Sequence, residues 1–217
     1  MVAVVPAAGR GERLGLGPKA FLKLGPETLL QRAVRQLRPH VGRILVGVAE
    51  DMVASAREDV STNAEVHAGG ATRQATIRAL FDSTQEALVL VLDANRPFVQ
   101  PALIANVLAS AWAIGAAATF VPVRAPMVDV VDGVVTLLES NGLAGVTMTP
   151  QAFRRDRLAD AFSHADREGV TDVSLSRLMF DAGIPVAAIA GDERSFKITT
   201  EFDWTIARQL LDGELRG

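Results

Sequence analysis

Short apolar runs alternate with stretches of helical periodicity through the first half of the chain. Val2–Val5 is such a run, closed by Pro6 and a glycine cluster, and Glu27–Leu37 then carries apolar residues at helical spacing. Continuous apolar strands between helices are typical of a mostly parallel sheet covered on both faces. The same pattern predicts further strands at Arg43–Ala49, Glu65–Ala68 and Ala87–Leu92, and helices at Met52–Val60, Thr72–Phe81 and Pro101–Trp112.

A pattern typical of β-hairpins replaces this alternation after Ala116. Ala117–Val123, Val128–Val131 and Val134–Leu138 are predicted strands, and Asp132-Gly133 between the last two favours a tight turn. An isolated hairpin is marginally stable in water, so we expect its valines to pack on a second subunit. The sequence therefore predicts an inserted β-arm at about residues 124–146 that serves as the contact of a homodimer.

The C-terminal third returns to alternating helices and strands. No stretch is rich enough in proline, glycine or serine to separate two domains, and 217 residues suit one α/β domain. We therefore expect a single domain over residues 1–217, of the Rossmann-like doubly wound α/β class with a mostly parallel sheet. The predicted helices are Pro150–Phe162, Ser174–Asp181 and Glu201–Leu211, and the predicted strands are Val186–Ala190 and Lys197–Thr199.

Composition and charge exclude several kinds of function. The formal net charge is −3 and the sequence has no basic stripe, so nucleic acid is not an expected partner. No apolar run approaches the roughly 18 residues of a membrane span, and the first residues do not resemble a signal peptide, so we expect a cytoplasmic protein without membrane contact. The absence of cysteine removes thiolate metal sites and cysteine nucleophiles, so the chemistry has to come from other side chains.

The loop after the first strand is one candidate site. Its residues, Pro6-Ala7-Ala8-Gly9-Arg10-Gly11, are mostly small, which lets backbone N–H groups approach an anion. A dinucleotide fingerprint would need glycine at Leu14, and a Walker loop would need Gly-Lys-Ser/Thr where Pro18-Lys19-Ala20 stands. Two interpretations remain: a polyphosphate-binding loop with Arg13 and Lys19 as its cations, or an ordinary strand-to-helix turn.

Asp93 is a second candidate. It ends a predicted buried strand, and the carboxyl ends of parallel strands share one edge of a sheet, so Asp93 should lie near the loop after Val5. One carboxylate together with substrate phosphates and waters is a usual Mg²⁺ site. Asp93 is therefore either a magnesium ligand or the cap of the turn that follows it.

Longer motifs narrow these alternatives. The block Pro6–Leu14 followed by Pro18–Leu22 resembles the nucleotide-binding signature of 2-C-methyl-D-erythritol 4-phosphate cytidylyltransferases. Alone, it would also fit sugar-1-phosphate nucleotidyltransferases and molybdopterin guanylyltransferases. The resemblance continues from residue 2 to about the C-terminus. The later blocks that carry it, in the family's order, are Gly69–Thr76, Leu92–Pro97, Thr149–Phe153, Thr171-Asp172 and Gly191–Thr200.

The resemblance implies a cytidylyltransferase of isoprenoid precursor synthesis that joins CTP to a small phosphorylated polyol, 2-C-methyl-D-erythritol 4-phosphate, and releases pyrophosphate. It implies a homodimer that uses Mg²⁺, with catalytic Arg13 and Lys19 at the triphosphate and catalytic Lys197 at the α-phosphate. It also implies acceptor-binding roles for Arg96 and Thr149, and a metal-binding role for Asp93. The implied nucleotide-binding residues are Pro6, Ala7, Ala8, Gly9, Arg10, Gly11, Gly69, Gly70, Arg73, Thr76 and Asp93.

The chain departs from the family's pattern mainly where the resemblance places the acceptor. Ala125-Pro126 stands where the family has Asp-Thr, and Ser140 stands where it has arginine. Asn95 replaces an alanine next to the candidate metal ligand. Two alternatives therefore stay open: a cytidylyltransferase for another polyol phosphate such as ribitol 5-phosphate, and a CTP-binding homologue with little catalysis.

Overall fold

The computed structural model describes residues 1–9, 11, 15–125, 127–137 and 144–214. Within these ranges, no helix is both long enough and apolar enough to cross a bilayer. The helices are α1 (Leu29–Leu37), α2 (Val53–Val60), α3 (Arg73–Asp82), α4 (Pro101–Ile114), α5 (Arg155–Glu168), α6 (Leu175–Asp181) and α7 (Glu201–Glu214). The strands are β1 (Val2–Pro6), β2 (Lys23–Leu24), β3 (Glu27–Thr28), β4 (Arg43–Val48), β5 (Glu65–Ala68), β6 (Leu88–Val91), β7 (Ala116–Pro122), β8 (Val128–Val131), β9 (Val134–Leu137), β10 (Gly145–Arg154) and β11 (Ala187–Ala190).

A seven-stranded sheet forms the centre of the fold, in the order β11-β7-β10-β6-β1-β4-β5. β1 pairs in parallel with β4 and β6, β4 pairs in parallel with β5, and β7 pairs in parallel with β11. β10 runs antiparallel to both of its neighbours, β6 and β7. The predicted mostly parallel, Rossmann-like α/β class is confirmed, and the carboxyl ends of β1, β4, β5 and β6 meet at one edge of the sheet.

Helices cover both faces of this sheet because its strands are apolar on both sides. In β1, Ala3 and Val5 face one apolar core, whereas Val2 and Val4 face the other. The first core receives side chains of α1, α2 and α4, and the second receives side chains of α3, α5 and α6. Burial on both faces explains why this strand reads in the sequence as a continuous apolar run without alternation.

A third and smaller apolar cluster joins the two ends of the chain, and we refer to it as the N–C cluster. Leu24 and Leu29 contribute from the N-terminal part, and Ile198 contributes from the segment before α7; all three are fully buried. Burial of one such side chain stabilises a fold by about 1.5–3 kcal/mol. The cluster therefore holds the segment around Ile198 against the N-terminal part. Its members are Leu24, Leu29, Phe98, Ile198, Ala207 and Leu211.

The hairpin predicted after Ala116 forms between β8 and β9. Asp132 and Gly133 connect the two strands with positive φ angles of 52° and 78°, as a tight two-residue hairpin turn requires. β7 and β10 extend towards the hairpin, with Gly145 opposite Pro122. The five valines of the hairpin are 48–65% exposed; they are Val128, Val130, Val131, Val134 and Val135.

Two predictions of secondary structure are wrong. The helix predicted at Pro150–Phe162 begins only at Arg155, because residues 150–154 belong to β10. This part of β10 is a short buried segment, for which periodicity does not separate a helix from a strand. Lys197–Thr199 is not a strand, because Ile198 donates its N–H to a loop carbonyl, Asn95 O, at 2.9 Å instead of joining a ladder.

Gly47 in β4 tests the packing of α3 on the sheet. A Cβ at this position would lie 2.5 Å from Thr76 Cγ2 and 3.1 Å from Leu80 Cδ1, so Gly47→Ala would force the helix away from the strand. We expect this change to lower the free energy of unfolding, measured in urea, by about 1–3 kcal/mol. Gly213→Ala in α7 is the control, because its Cβ would meet nothing within 4 Å and should stabilise the helix by about 0.5–1 kcal/mol. Unchanged stability of Gly47→Ala would contradict the packing described.

Candidate functional site

A cleft of about 770 Å³ lies at the carboxyl edge of the sheet. The loop after β1, the loops after β5 and β6, and the segment before α7 form its walls. The strand order therefore brings residues from both ends of the chain into one site. The residues of this lining that the sequence also predicts are Pro6, Ala7, Ala8, Gly9, Gly11, Lys19, Gly69, Gly70, Arg73, Thr76, Asp93 and Lys197.

Asp93 is the centre of the charge arrangement in the cleft. Its Oδ1 accepts hydrogen bonds from the Arg73 guanidinium at 2.8 Å, and its Oδ2 accepts one from Lys197 Nζ at 3.1 Å. Arg96 Nε lies 3.9 Å from the same Oδ2. Asp93 is 5% exposed and Arg96 is 7% exposed, so one carboxylate is held among three cations away from bulk water.

The three cations keep Asp93 ionised. Burial raises the pKa of this carboxyl group, but the charges of Arg73, Lys197 and Arg96 lower it more, with help from the Arg73 hydrogen bond. The pKa of Asp93 therefore lies below its ordinary value. Since three cations face one anion, this part of the cleft has an excess of positive charge, which favours a polyphosphate ligand.

Lys19 reaches the cleft through contacts with the C-terminal segment. Its Nζ donates a hydrogen bond to Thr199 O at 2.9 Å and lies 3.5 Å from Ile198 O. The backbone of Lys19 begins a short 3-10 turn that follows Pro18. Because Ile198 belongs to the N–C cluster, the packing of that cluster sets the positions of both Lys19 and its neighbour in the cleft, Lys197.

The loop after β5 is shaped by Gly69, Gly70 and Thr76. The Thr76 hydroxyl donates to Thr72 O at 2.9 Å and accepts the Gly70 N–H at 3.0 Å, so it holds the loop against the start of α3. A Cβ on Gly69 would lie 2.8 Å from the Cβ of Ala8 and 2.9 Å from Thr76 Oγ1. A glycine at this position therefore lets the loop approach the loop after β1, which narrows the cleft between them.

Four predicted site residues are absent from the described lining of the cleft. Arg10 and Arg13 lie outside the residues that the structure describes, as do Pro126 and Ser140 of the acceptor region. Arg96 and Thr149 are buried behind Asp93. Arg96 Nη1 donates to Ser195 O at 2.8 Å, and Thr149 Oγ1 accepts the Asp93 N–H at 3.1 Å. This geometry makes both residues supports of Asp93, and their contact with an acceptor stays a prediction.

Sequence reasoning missed two side chains that hold the C-terminal segment. Asn95 Nδ2 donates to Ile198 O at 2.8 Å. In the sequence, Asn95 is noticeable only because it replaces an alanine of the family's pattern, and nothing there indicates this contact. Asp203, in the first turn of α7, accepts the N–H groups of Thr199 at 2.8 Å and Thr200 at 2.7 Å. A sequence signal for Asp203 exists, because threonine followed three residues later by an acid has the spacing of a helix capping box.

Asp93 fits the predicted magnesium site only as a single carboxylate. Among the residues that the structure describes, no group of three or more His, Cys, Asp or Glu side chains is placed to hold a metal ion. Mg²⁺ often takes one or two carboxylates together with substrate phosphates and waters. The described residues therefore fit an ion that arrives with a nucleotide, and these residues do not form a site that would hold the ion alone.

A cationic cleft at the carboxyl edge of a Rossmann-like sheet is suited to a protein that binds a nucleotide through its phosphates, and nucleotidyltransferases are one class of such proteins. The chain matches the 2-C-methyl-D-erythritol 4-phosphate cytidylyltransferase (IspD) family over residues 1–213, and it belongs to that family. A relative of that name from Deinococcus radiodurans is 38% identical, over 99% of this chain and 90% of its own length. Another, from Thermus thermophilus, is 35% identical over 95% of each chain. The family predicted from the motifs is confirmed.

Solved structures resemble this fold along nearly its whole length. The crystal structure of 2-C-methyl-D-erythritol 4-phosphate cytidylyltransferase from Thermus thermophilus has a TM-score of 0.80 at 32% identity, and the match covers 96% of this chain and 97% of that one. The structure of 4-diphosphocytidyl-2C-methyl-D-erythritolsynthase from Anaerococcus prevotii has a TM-score of 0.82 at 20% identity, covering 97% and 95%. The second likeness supports the fold alone, and both agree with the sheet described above.

Replacement of Asp93 by asparagine tests the charge cluster. Asp93→Asn leaves three neighbouring cations without their anion, so we expect the free energy of unfolding at pH 7 to fall by about 3–5 kcal/mol. Because the folded-state pKa of Asp93 is lowered, its stabilisation is present above its unfolded pKa of about 3.9 and is lost as the pH falls through the folded pKa. The difference between the two proteins should therefore shrink in acid below about pH 4.

Urea titrations at several pH values measure this difference. Asp82→Asn is the control, because Asp82 pairs with Arg78 on the surface of α3 and its side chain is 54% exposed. An exposed pair of this kind contributes little, so the control should lose little stability at any pH. A loss for Asp93→Asn that is small at pH 7, or that does not change in acid, would contradict the cluster as described.

Proposed function

We propose that the chain transfers CMP from CTP to 2-C-methyl-D-erythritol 4-phosphate and releases pyrophosphate. The observation that carries the proposal is that Lys19, Asp93 and Lys197 line one cleft together with the glycine-rich loops after β1 and β5. Membership of the family supports the choice of nucleotide and acceptor, because relatives that are 35–38% identical over nearly the full length carry this activity as their name.

Fixed positive charge is the main requirement of this reaction. An oxygen of the acceptor phosphate forms a bond to the α-phosphorus of CTP, while the bond from that phosphorus to pyrophosphate breaks, so two anions have to meet. We assign Lys197, which Asp93 holds at 3.1 Å, to the α-phosphate, and Lys19 together with Arg13 to the rest of the triphosphate. The acceptor phosphate is already ionised at neutral pH, so no side chain has to act as a base.

We assign Asp93 as the protein ligand of a Mg²⁺ ion that enters with CTP. The ion would neutralise charge on the phosphate oxygens, in addition to the charge that the lysines supply. Asp93 stays ionised because its pKa is lowered by its neighbours, and an ionised carboxylate can accept from cations and bind a metal with different lone pairs. Arg73 and Lys197 hold both of its oxygens in place at the edge of the cleft.

Recognition of the acceptor is assigned to the side of the cleft near the arm. Arg124, at the base of the arm, lies 3.8 Å from Glu193, and both side chains are more than 70% exposed. An exposed ion pair of this kind contributes little to stability, so Arg124 can exchange Glu193 for a substrate phosphate at a small cost in folding free energy.

Cytosine recognition is assigned to backbone groups of the loops after β1 and β5, which Gly69 allows to approach each other.

We also propose that two chains form a homodimer through the β-arm. The hairpin of β8 and β9 exposes Val130, Val131, Val134 and Val135 by 57–65%. A two-stranded hairpin cannot bury these side chains by itself, and exposed apolar patches often mark interfaces.

We also propose a cytoplasmic location, which fits a chain without cysteine.

Pyrophosphate release tests the proposed reaction directly. The purified protein with CTP, Mg²⁺ and 2-C-methyl-D-erythritol 4-phosphate should produce equal amounts of pyrophosphate and the cytidylylated product, and chelation of the metal should stop both. Ribitol 5-phosphate as the acceptor should give a lower rate. A higher rate with ribitol 5-phosphate would assign a different acceptor, and CTP binding in a calorimeter without release for either acceptor would indicate a binding protein.

Substitution of the two cleft lysines tests their role. Lys19→Ala and Lys197→Ala should each lower kcat/KM by about 100- to 1000-fold, because each removes charge that stabilises the transition state. Lys23→Ala is the matched control, since Lys23 is an exposed lysine on β2 outside the described lining of the cleft. The control should keep its activity. An unchanged rate in either cleft variant would remove that lysine from the mechanism.

A charged arm tests the proposed homodimer. Val130 lies opposite Val135 and Val131 lies opposite Val134, on the two faces of the hairpin. A variant with Val130→Lys, Val135→Glu, Val131→Lys and Val134→Glu can therefore keep the hairpin through cross-strand ion pairs while losing the exposed valines of both faces. Sedimentation should show a dimer for the unsubstituted protein and a monomer for this variant. Trp112→Lys removes an apolar side chain that is 62% exposed and belongs to α4 instead of the arm, so it should leave the dimer intact. A monomeric unsubstituted protein, or a dimeric arm variant, would refute this interface.

A further inference from the structure

Asp203 joins the first turn of α7 to the segment that carries Lys197. Its Oδ2 accepts the N–H of Thr199 at 2.8 Å, the hydroxyl of Thr199 at 2.7 Å and the N–H of Thr200 at 2.7 Å. Thr200 Oγ1 in turn accepts the N–H of Asp203 at 3.2 Å. This reciprocal arrangement is a capping box, which satisfies N–H groups that the start of a helix leaves unpaired.

The threonine that Asp203 holds also holds Lys19. Thr199 O accepts the hydrogen bond from Lys19 Nζ at 2.9 Å, while the N–H and the hydroxyl of Thr199 donate to Asp203. Thr199 is itself part of the cleft wall. Asp203 and Lys19 are thus connected through a single residue, so a displacement of Thr199 displaces a cation of the cleft.

Asn95 holds the other side of the same segment. Its Nδ2 donates to Ile198 O at 2.8 Å, and its backbone carbonyl accepts the N–H of Ile198 at 2.9 Å. The segment 197–199 is therefore fixed at Ile198 to the loop that contains Asp93, and at Thr199 to α7. Since Ile198 is also fully buried, the freedom that remains to the segment is decided largely at Thr199.

Charge makes the contacts of Asp203 stronger than those of a neutral cap. Burial raises the pKa of Asp203, but the hydrogen bonds from Thr199 and Thr200 lower it by a larger amount, so the pKa is lowered to about 2. The carboxylate is therefore ionised at any pH at which an enzyme of this kind would work. Hydrogen bonds to an ionised acceptor are roughly twice as strong as neutral ones.

We propose that Asp203 is a positioning residue for CMP transfer. Asp203 fixes the position of Thr199, whose carbonyl oxygen accepts the hydrogen bond of Lys19, and it fixes the approach of Lys197 to Asp93. This inference rests on the proposed function, because it concerns the same cleft. A displacement of about 1 Å in a reacting or charge-stabilising group can lower a rate by about 100-fold. A cap that served only α7 would change stability without changing the rate of the folded enzyme.

Comparison of two acidic residues in the first turns of helices separates these roles. Asp156, in the first turn of α5, is the matched control, because α5 and α7 each contain 14 residues and Asp156 accepts a hydrogen bond from Arg154 at 2.6 Å away from the cleft. Asp156→Ala and Asp203→Ala should both lower Tm. At a temperature where all variants are folded, Asp203→Ala should lower kcat by about 10- to 100-fold, whereas Asp156→Ala should keep the unsubstituted kcat.

Asp203→Asn is the conservative variant. Its amide oxygen can still accept from Thr199 and Thr200, so kcat should lie between those of Asp203→Ala and the unsubstituted protein. An unchanged kcat in Asp203→Ala would overturn the inference, and so would an equal loss of kcat in Asp156→Ala.

A double-mutant cycle on CTP affinity tests the connection to Lys19. Asp203→Ala should weaken CTP binding in a calorimeter, and it should do so by a clearly smaller factor when Lys19→Ala is already present. Full additivity would overturn the inference. An unsubstituted protein that binds CTP without transferring CMP would refute the proposed function and leave this cycle as the test, whereas one that does not bind CTP would refute both.

Discussion

The burial of one carboxylate among three cations is the constraint on which the site depends. An ionised Asp93 at 5% exposure would cost several kcal/mol without compensation, and its cations could not be gathered there without an anion. These partners come from separate elements: Arg73 begins α3, Arg96 follows β6, and Lys197 precedes α7. The charge cluster therefore requires the carboxyl ends of the strands to lie side by side in the sheet. The site depends on the complete fold, because no single motif contains all of its charged residues.

Apolar packing brings the last of these cations into place. Lys197 lies next to Ile198, which is buried in the N–C cluster with Leu24 and Leu29 from the other end of the chain. Non-directional burial supplies most of the stabilisation here, while the hydrogen bonds from Asn95 and Lys19 to the carbonyls of the segment fix its orientation. Apolar burial therefore determines which segments pack together, and hydrogen bonds determine how the charged side chains face the cleft.

The sequence predicts the lining of the cleft well because two independent regularities apply to it. Parallel strands share a carboxyl edge, which places Asp93 near the loop after β1, and the spacing of glycines and lysines follows a family pattern. The other features depend on contacts between distant residues. Pro150 resembles the start of a helix, and no local signal indicates that its segment lies between β6 and β7. Arg96 resembles a ligand of the acceptor in sequence, and only its burial against Ser195 O reveals a supporting role.

The two halves of the site differ in how strongly they are tied to the stability of the fold. In the cleft, Gly69 has no room for a side chain and Asp93 is buried, so a change there also disturbs packing. Near the arm, Arg124 and Glu193 form an exposed pair, and the valines of the hairpin make no contribution to the cores of their own chain. Substitutions on the arm side therefore cost the single chain little folding free energy. Ala125, the described residue near the arm that departs from the family's pattern, is exposed, so this departure costs the fold little stability and leaves the packing around Asp93 unchanged.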